Sequence, residues 1–208
     1  MLFLRSPQHA ANVERLANEG ALDAIIRLAR EDDRKIRRYC ASAFRHMSKH
    51  KVLCEEMILS NGPSFLGELA SSSNDRLISR DCAIAMLNLT RMQGKEGVLV
   101  EDGAVLAFIG LSNVHEELSA VCARGLFNLT CVDEPYNFID RVIRSFIGMA
   151  ASATLEVKHI CASALCNLSD LKSLRLRLVE EGIVQVLGQL ARGAEPKTRR
   201  VCAIVLQR

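Results

Sequence analysis

Short apolar stretches with helical spacing recur along the chain: ALDAIIRLA from Ala21, PSFLGELA from Pro63, AVLAFIGLS from Ala104 and IVQVLGQLA from Ile183. Each follows a run that ends in polar residues and glycine (LANEG, ILSNG, LVEDG, LVEEG) and gives way to a polar bend (REDDR, SSSND, NVHEE, GAEPK), with SATLE a further bend of the same kind. Glycine after a helical run supplies a left-handed close, and Ser, Asp and Asn in the bends are N-cap residues. Beyond each bend lies a longer periodic stretch that carries a cysteine. The order predicts three helices per unit, the second entered directly from the glycine. LRLRL, Leu174 to Leu178, alternates as a strand would. Its place in the unit assigns it to a first helix instead.

The unit has a period. Cys40, Cys82, Cys122, Cys161 and Cys202 are spaced by 42, 40, 39 and 41 residues, and Gly20, Gly62, Gly103 and Gly182 by 42, 41 and 79, the last being two periods. The skipped turn is expected near Arg141. Two independent markers with one period identify a helical repeat array, read as one domain over residues 1–208. Repeat one spans about residues 10–50, repeat two 51–94, repeat three 95–132, repeat four 133–171 and repeat five 172–208.

A glycine-closed first helix, an apolar second helix and a third helix ending in A-x-x-N-L-[ST] resemble armadillo repeats, the units of β-catenin and importin-α. CAIAMLNLT from Cys82, CARGLFNLT from Cys122 and CASALCNLS from Cys161 carry the signature, and CASAFRHMS from Cys40 carries a fainter form. HEAT repeats, usually two-helical and without this glycine and asparagine pairing, are the near alternative. The resemblance implies an all-α, armadillo-type α-solenoid of about five three-helix repeats. The departures are His46 at the asparagine position of repeat one, Pro135 in the first helix of repeat four, and Arg208 at the asparagine position of a fifth repeat whose third helix is expected to be about half present. Terminal repeats normally carry a polar capping face, and its lack at both ends leads us to expect a slice of a longer array.

On a helical wheel at about 100° per residue, Cys82, Ala85, Met86 and Leu89 share one arc, flanked by Ala83 and Leu87, while Asn88, Ile84, Asp81 and Arg91 lie opposite. The same outward position holds Asn88, Asn128 and Asn167 in repeats two to four. A carboxamide has one acceptor oxygen and two donor hydrogens, which suits an extended peptide backbone. The family resemblance implies that use: an asparagine row along a concave groove. In importin-α-like proteins a Trp four residues earlier completes pockets for lysine; here those positions hold Ser42, Ile84, Arg124 and Ser163, and the chain has no Trp. With Arg38, Lys49, Arg80, Arg91 and Arg124 on the same face, then His159 and Asp170, the groove is expected to be basic over repeats one to three and to take an acidic peptide. The candidate groove residues are thus Asn88, Asn128, Asn167, His46, Arg38, Arg80, Ile84, Arg91, Arg124 and Ser163. Two plainer readings stand beside this one: asparagines that bond to a neighbouring loop near the helix end, and solvated charged faces with no ligand.

Composition narrows the function. A net charge of +3 from 27 basic and 24 acidic residues is too balanced for wholesale attraction to nucleic acid or anionic lipid, and the apolar runs are too short to span a bilayer. Asn167-Leu168-Ser169 is an N-glycosylation sequon in form, but its recurrence in a helical word beside cysteines argues for a structural motif. The eight cysteines include no C-x-x-C pair and read as small buried hydrophobes rather than a disulfide or metal framework. His115-Glu116-Glu117-Leu118-Ser119 lacks the second histidine of a zinc-protease motif, Gly94-Lys95-Glu96-Gly97 lacks the spacing of a phosphate loop, and Arg34–Arg38 is a basic run at a helix start. No nucleophile, base and orienter recur together. We expect a non-enzymatic, monomeric protein-interaction scaffold without cofactor or metal, in the cytoplasm with the nucleus as a second location. A structural section of a ciliary, cytoskeletal or adhesion-type scaffold is the alternative, with a nucleic-acid-binding repeat behind it.

Overall fold

The computed structural model describes residues 15–72, 74–130, 139–152, 154–192 and 194–208, and every regular element among them is helical. In chain order these are α1 Ala21–Ala29, α2 Arg34–Met47, α3 Lys51–Leu59, α4 Gly62–Ser71, α5 Arg76–Leu89, α6 Glu96–Glu101, α7 Ala104–Val114, α8 Ser119–Leu129, α9 Ile139–Ser152, α10 Leu155–Asp170, α11 Arg175–Glu180, α12 Ile183–Ala191 and α13 Pro196–Gln207. Short 3-10 turns, Glu116–Leu118 and Lys172–Leu174, lead into α8 and α11. The alternating LRLRL segment is helical, as its repeat position requires, because Leu174 and Leu178 one turn apart are both buried.

The chain forms two compact units, the first ending at Ala104 and the second running from Val105 to Arg208. In the first unit α2 packs on α5, α4 on α5 and α1 on α2. Phe44 of α2 and Phe65 of α4 meet edge to face with ring centres 5.4 Å apart. In the second unit the third helices α8, α10 and α13 pack in succession, and α9 packs against α12. The cysteines that mark the period, Cys40, Cys82, Cys122, Cys161 and Cys202, are all buried free thiols. Burial raises each of them, Cys122 and Cys161 to about 12, so they pack as small hydrophobes and stay protonated.

Three of the four marker glycines do what the pattern predicts: Gly20, Gly103 and Gly182 have φ of 71°, 86° and 84° immediately before a second helix. Repeat two differs. Its left-handed residue is Asn61, at φ 54°, and Gly62 is the first residue of α4. Glycine is needed at 62 for another reason, since a Cβ there would lie 2.5 Å from the carbonyl oxygen of Met57. The turn expected near Arg141 is not at that residue, because Arg141 is helical within α9, Ile139–Ser152. Pro135 lies outside the described residues. The third helix of repeat five is longer than expected, with 12 residues from Pro196 to Gln207; proline at its first turn needs no partner for a missing N–H.

One glycine outside the repeat series is set by packing. Gly125 stands in α8 where repeats one, two and four have Ala43, Ala85 and Ala164 and repeat five has Val205, and a Cβ on it would approach the buried Phe108 ring to 2.3 Å. The alanine-to-glycine change makes room for a phenylalanine from the second helix.

Candidate functional site

The third helices supply the candidate residues, and each unit holds its own set. In the first unit, Asn88 sits half-buried one residue before the end of α5. Its Nδ2 donates to the Ser48 hydroxyl at 3.0 Å, and its Oδ1 accepts from Arg91 Nη1 at 3.2 Å. Ser48 is buried at the end of α2, and its hydroxyl in turn donates to the Arg45 carbonyl at 3.0 Å. The amide of repeat two is therefore tied to the helix end of repeat one. A carboxamide has two N–H groups, so one remains beyond the Ser48 bond.

The last letter of the N-L-[ST] word explains this arrangement. Ser48, Thr90, Thr130 and Ser169 are all buried, and each hydroxyl donates to the carbonyl three residues back, at 3.0, 2.8, 2.7 and 2.7 Å. These hydroxyls satisfy orphan carbonyls at a helix end, and Ser48 also accepts from the next repeat. Repeat five shows the same tie with a different side chain: Arg208, at the asparagine position, donates to the Ser169 hydroxyl at 3.1 Å and to the Cys166 carbonyl at 3.1 Å, and pairs with Asp170 at 2.5 Å. The pattern of hydroxyls was visible in the repeated word, but nothing in one repeat alone shows that its partner lies about 40 residues away. Asn128 and Asn167 are half-buried and are likewise not free amides.

The arginines divide by partner. Arg38 and Arg34 both donate to Asp75 Oδ2, at 2.6 and 2.7 Å. Asp75 is buried at the N-cap of α5, where its other oxygen accepts from the Leu77 N–H at 3.0 Å. Burial alone would raise its carboxyl, but the bonds from Arg38, Arg34 and Leu77 outweigh that and hold it down to about 2. In the second unit Arg124 pairs with Glu156 at the start of α10. Among the described residues Arg80 is exposed and has no partner, and the only side-chain bond of exposed Arg91 is to the neutral Asn88 amide. At the position that Asp75 occupies in repeat two, repeat three carries His115.

The other candidates occupy less committed places. His46 is exposed, with Nε2 3.3 Å from Arg45 Nη2, and Arg45 pairs with Asp81 at 3.0 Å. Ile84 and Ser163 are half-buried. Lys49 is exposed and engaged, and His159 Nδ1 lies 3.2 Å from the Thr198 hydroxyl. The basic run at the start of α2 is dispersed over the helix: besides Arg34 and Arg38, Arg37 turns back to the Glu31 carbonyl at 2.9 Å, and Lys35 is exposed. Gly94, at φ 76°, belongs to the connector before α6. Among the described residues no group of three or more His, Cys, Asp or Glu is placed to hold a metal ion, and no helix is long and apolar enough to cross a membrane.

Solved structures decide the fold. The chain superposes on a computationally designed armadillo repeat protein for modular peptide recognition with a TM-score of 0.79, at 17% identity, over 94% of this chain and 84% of that one. The fold is that of the armadillo repeats. A designed armadillo repeat protein in complex with peptide (KR)4 gives a TM-score of 0.77 at 16% identity, over 94% of this chain and 84% of that one. A chain from a study of a phosphorylation switch controlling the interaction between cadherin and β-catenin gives 0.72 at 15% identity, over 96% of this chain and 41% of the other. No protein-family model matches the sequence, and no curated protein does. The armadillo-type α-solenoid is thus carried by helix order and stacking, with little sequence in common.

Proposed function

We propose that this chain is a non-enzymatic protein-interaction scaffold that holds an extended acidic peptide against its third helices. Arg80 and Arg91 provide the charge contacts, and the row Asn88, Asn128 and Asn167 contacts the peptide backbone. The observation that carries the reading is the uneven pairing of the arginines. Arg38, together with Arg34, pairs with Asp75, and Arg124 pairs with Glu156, whereas among the described residues Arg80 has no counter-ion and the Arg91 side chain meets only the Asn88 amide. Two uncompensated guanidinium groups flanking an amide with a spare N–H suit a carboxylate-bearing strand. In this reading His46 and Ile84 belong to the third-helix surface of the first unit, and Ser163 to that of the second. The structures matched include one designed for peptide recognition and one holding a peptide, which accords with a scaffold role. A reducing compartment, the cytoplasm with access to the nucleus, fits the seven free thiols among the described residues, and the chain is proposed to act as a monomer.

The test is a fluorescence-anisotropy titration of the chain with labelled octaglutamate and, separately, octalysine. The reading expects binding of octaglutamate alone, weakened at least tenfold by Arg80→Glu with Arg91→Glu. Equal affinity of wild type and variant would overturn it. A second reading, a structural section with no ligand in the groove, is favoured by one observation: the Asn88 amide joins repeats one and two through Ser48. In that case neither octaglutamate nor octalysine binds, while Asn88→Ala still lowers stability. A nucleic-acid-binding repeat, the third reading, predicts affinity that falls steeply with salt.

A further inference from the structure

Within the first unit, repeats one and two enclose a cleft whose lining shares no residue with the proposed groove. Its volume is about 310 Å³, at the lower end of the roughly 300–1,000 Å³ of small-molecule sites. Ala29, the last residue of α1, and Phe65 and Leu69 of α4 supply its apolar surface. The Phe65 ring is held by its edge-to-face contact with Phe44. The polar lining divides by repeat. Repeat one contributes donors, the guanidinium groups of Arg30 and Arg37, and repeat two contributes the Glu68 carboxylate and the Ser72 hydroxyl. Arg37 is fixed in advance: its side chain is 22% exposed and its Nε donates to the Glu31 carbonyl at 2.9 Å. Its Nη2 meets only the fully exposed Asp32, at 3.4 Å. The Arg30 guanidinium and the Glu68 carboxylate are exposed and have no partner among the described residues. The Ser72 hydroxyl donates to the Leu69 carbonyl at 3.2 Å, which leaves its lone pairs to accept.

A guest matched to this cleft accepts at one end, donates at the other and is apolar between. Charge narrows the choice. Two guanidinium groups and one carboxylate leave a single positive charge, which one carboxylate balances and a phosphate, at about −1.5 to −2, exceeds. We propose that the cleft takes the C-terminal residue of a partner polypeptide. Its α-carboxylate meets Arg30 and Arg37, its peptide N–H meets Glu68 or Ser72, and its apolar side chain lies on Phe65 and Leu69. A guanidinium holds a carboxylate through two parallel bonds, and Arg37, already fixed by the Glu31 carbonyl, loses little freedom in making them. The guest differs in chemistry from the groove segment: it offers one free chain terminus with an apolar side chain, where the groove takes a run of acidic side chains.

The test titrates the full chain, by fluorescence anisotropy, with a labelled Gly/Ser peptide that ends in leucine, once with a free C-terminal carboxylate and once amidated. The free acid is expected to bind about tenfold more tightly than the amide. Arg30→Gln, at an exposed position, should reduce that preference, and its combination with Arg37→Gln should abolish it. Arg80→Glu with Arg91→Glu should leave it unchanged. Equal binding of acid and amide overturns the proposal, as does a preference undiminished by Arg30→Gln alone, a variant whose fold circular dichroism verifies. A preference lost only in the Arg80 and Arg91 variant would place the carboxylate in the groove and overturn it too. So would displacement of the peptide by free leucine as readily as by N-acetylleucine, which would make the guest an amino acid.

Discussion

Asn88 shows what one side chain does in this fold. Its bond to Ser48 ties two successive repeats, and its carbonyl holds Arg91 at the end of the same helix. Asn88→Ala should therefore lower stability by about 1 kcal/mol in urea denaturation, and in a double-mutant cycle with Ser48→Ala the two losses should not add. Additive losses would show that the bond contributes nothing. Gly125 makes a different point. Gly125→Ala drives a methyl group into the Phe108 ring and should cost about 1–3 kcal/mol. Phe108→Leu in the same chain should recover part of that loss, measured by the same urea midpoint. The asparagine positions were legible in the sequence because they recur. The Ser48 tie was not, because one repeat cannot show what lies on its neighbour.

At the scale of helices, caps and turns decide where elements begin. Asp75 caps α5 and receives Arg34 and Arg38. Its carboxyl is depressed to about 2, below the unfolded carboxylate value of about 3.9. The stability it contributes is therefore complete above about pH 4 and is lost as the pH falls through about 2. Wild type should lose on the order of 1–2 kcal/mol more than Asp75→Asn across that window, after allowance for the water around Arg34 and Arg38, as read by denaturation at stepped pH. Turn geometry gives a second prediction at this scale. Gly103→Ala and Gly182→Ala, at positive φ, should each cost about 1 kcal/mol, whereas Asn61→Gly should be neutral or slightly stabilising, and thermal unfolding would rank them. The helix order was readable from the glycine and cysteine periods. The exact turn in repeat two was not, because Asn61 and Gly62 are adjacent and either residue tolerates a left-handed backbone.

For the whole molecule, the sequence period and the solved structures lead to the same fold by separate routes, one through 39- to 42-residue cysteine intervals and the other through superposition at 15–17% identity. What the sequence left undivided was the basic surface. Arg38, Arg80, Arg91 and Arg124 look alike on a wheel, yet the first and last pair with Asp75 and Glu156, and those acids come from the following repeat. The proposed function rests on the two that are left uncompensated. The most direct measurement is the arginine side-chain Nε–H spectrum of isotopically labelled chain titrated with octaglutamate. The account predicts that the Arg80 and Arg91 resonances move progressively to saturation while those of Arg38 and Arg124 stay in place. Movement confined to Arg38 and Arg124, or no movement at any of the four, would contradict it.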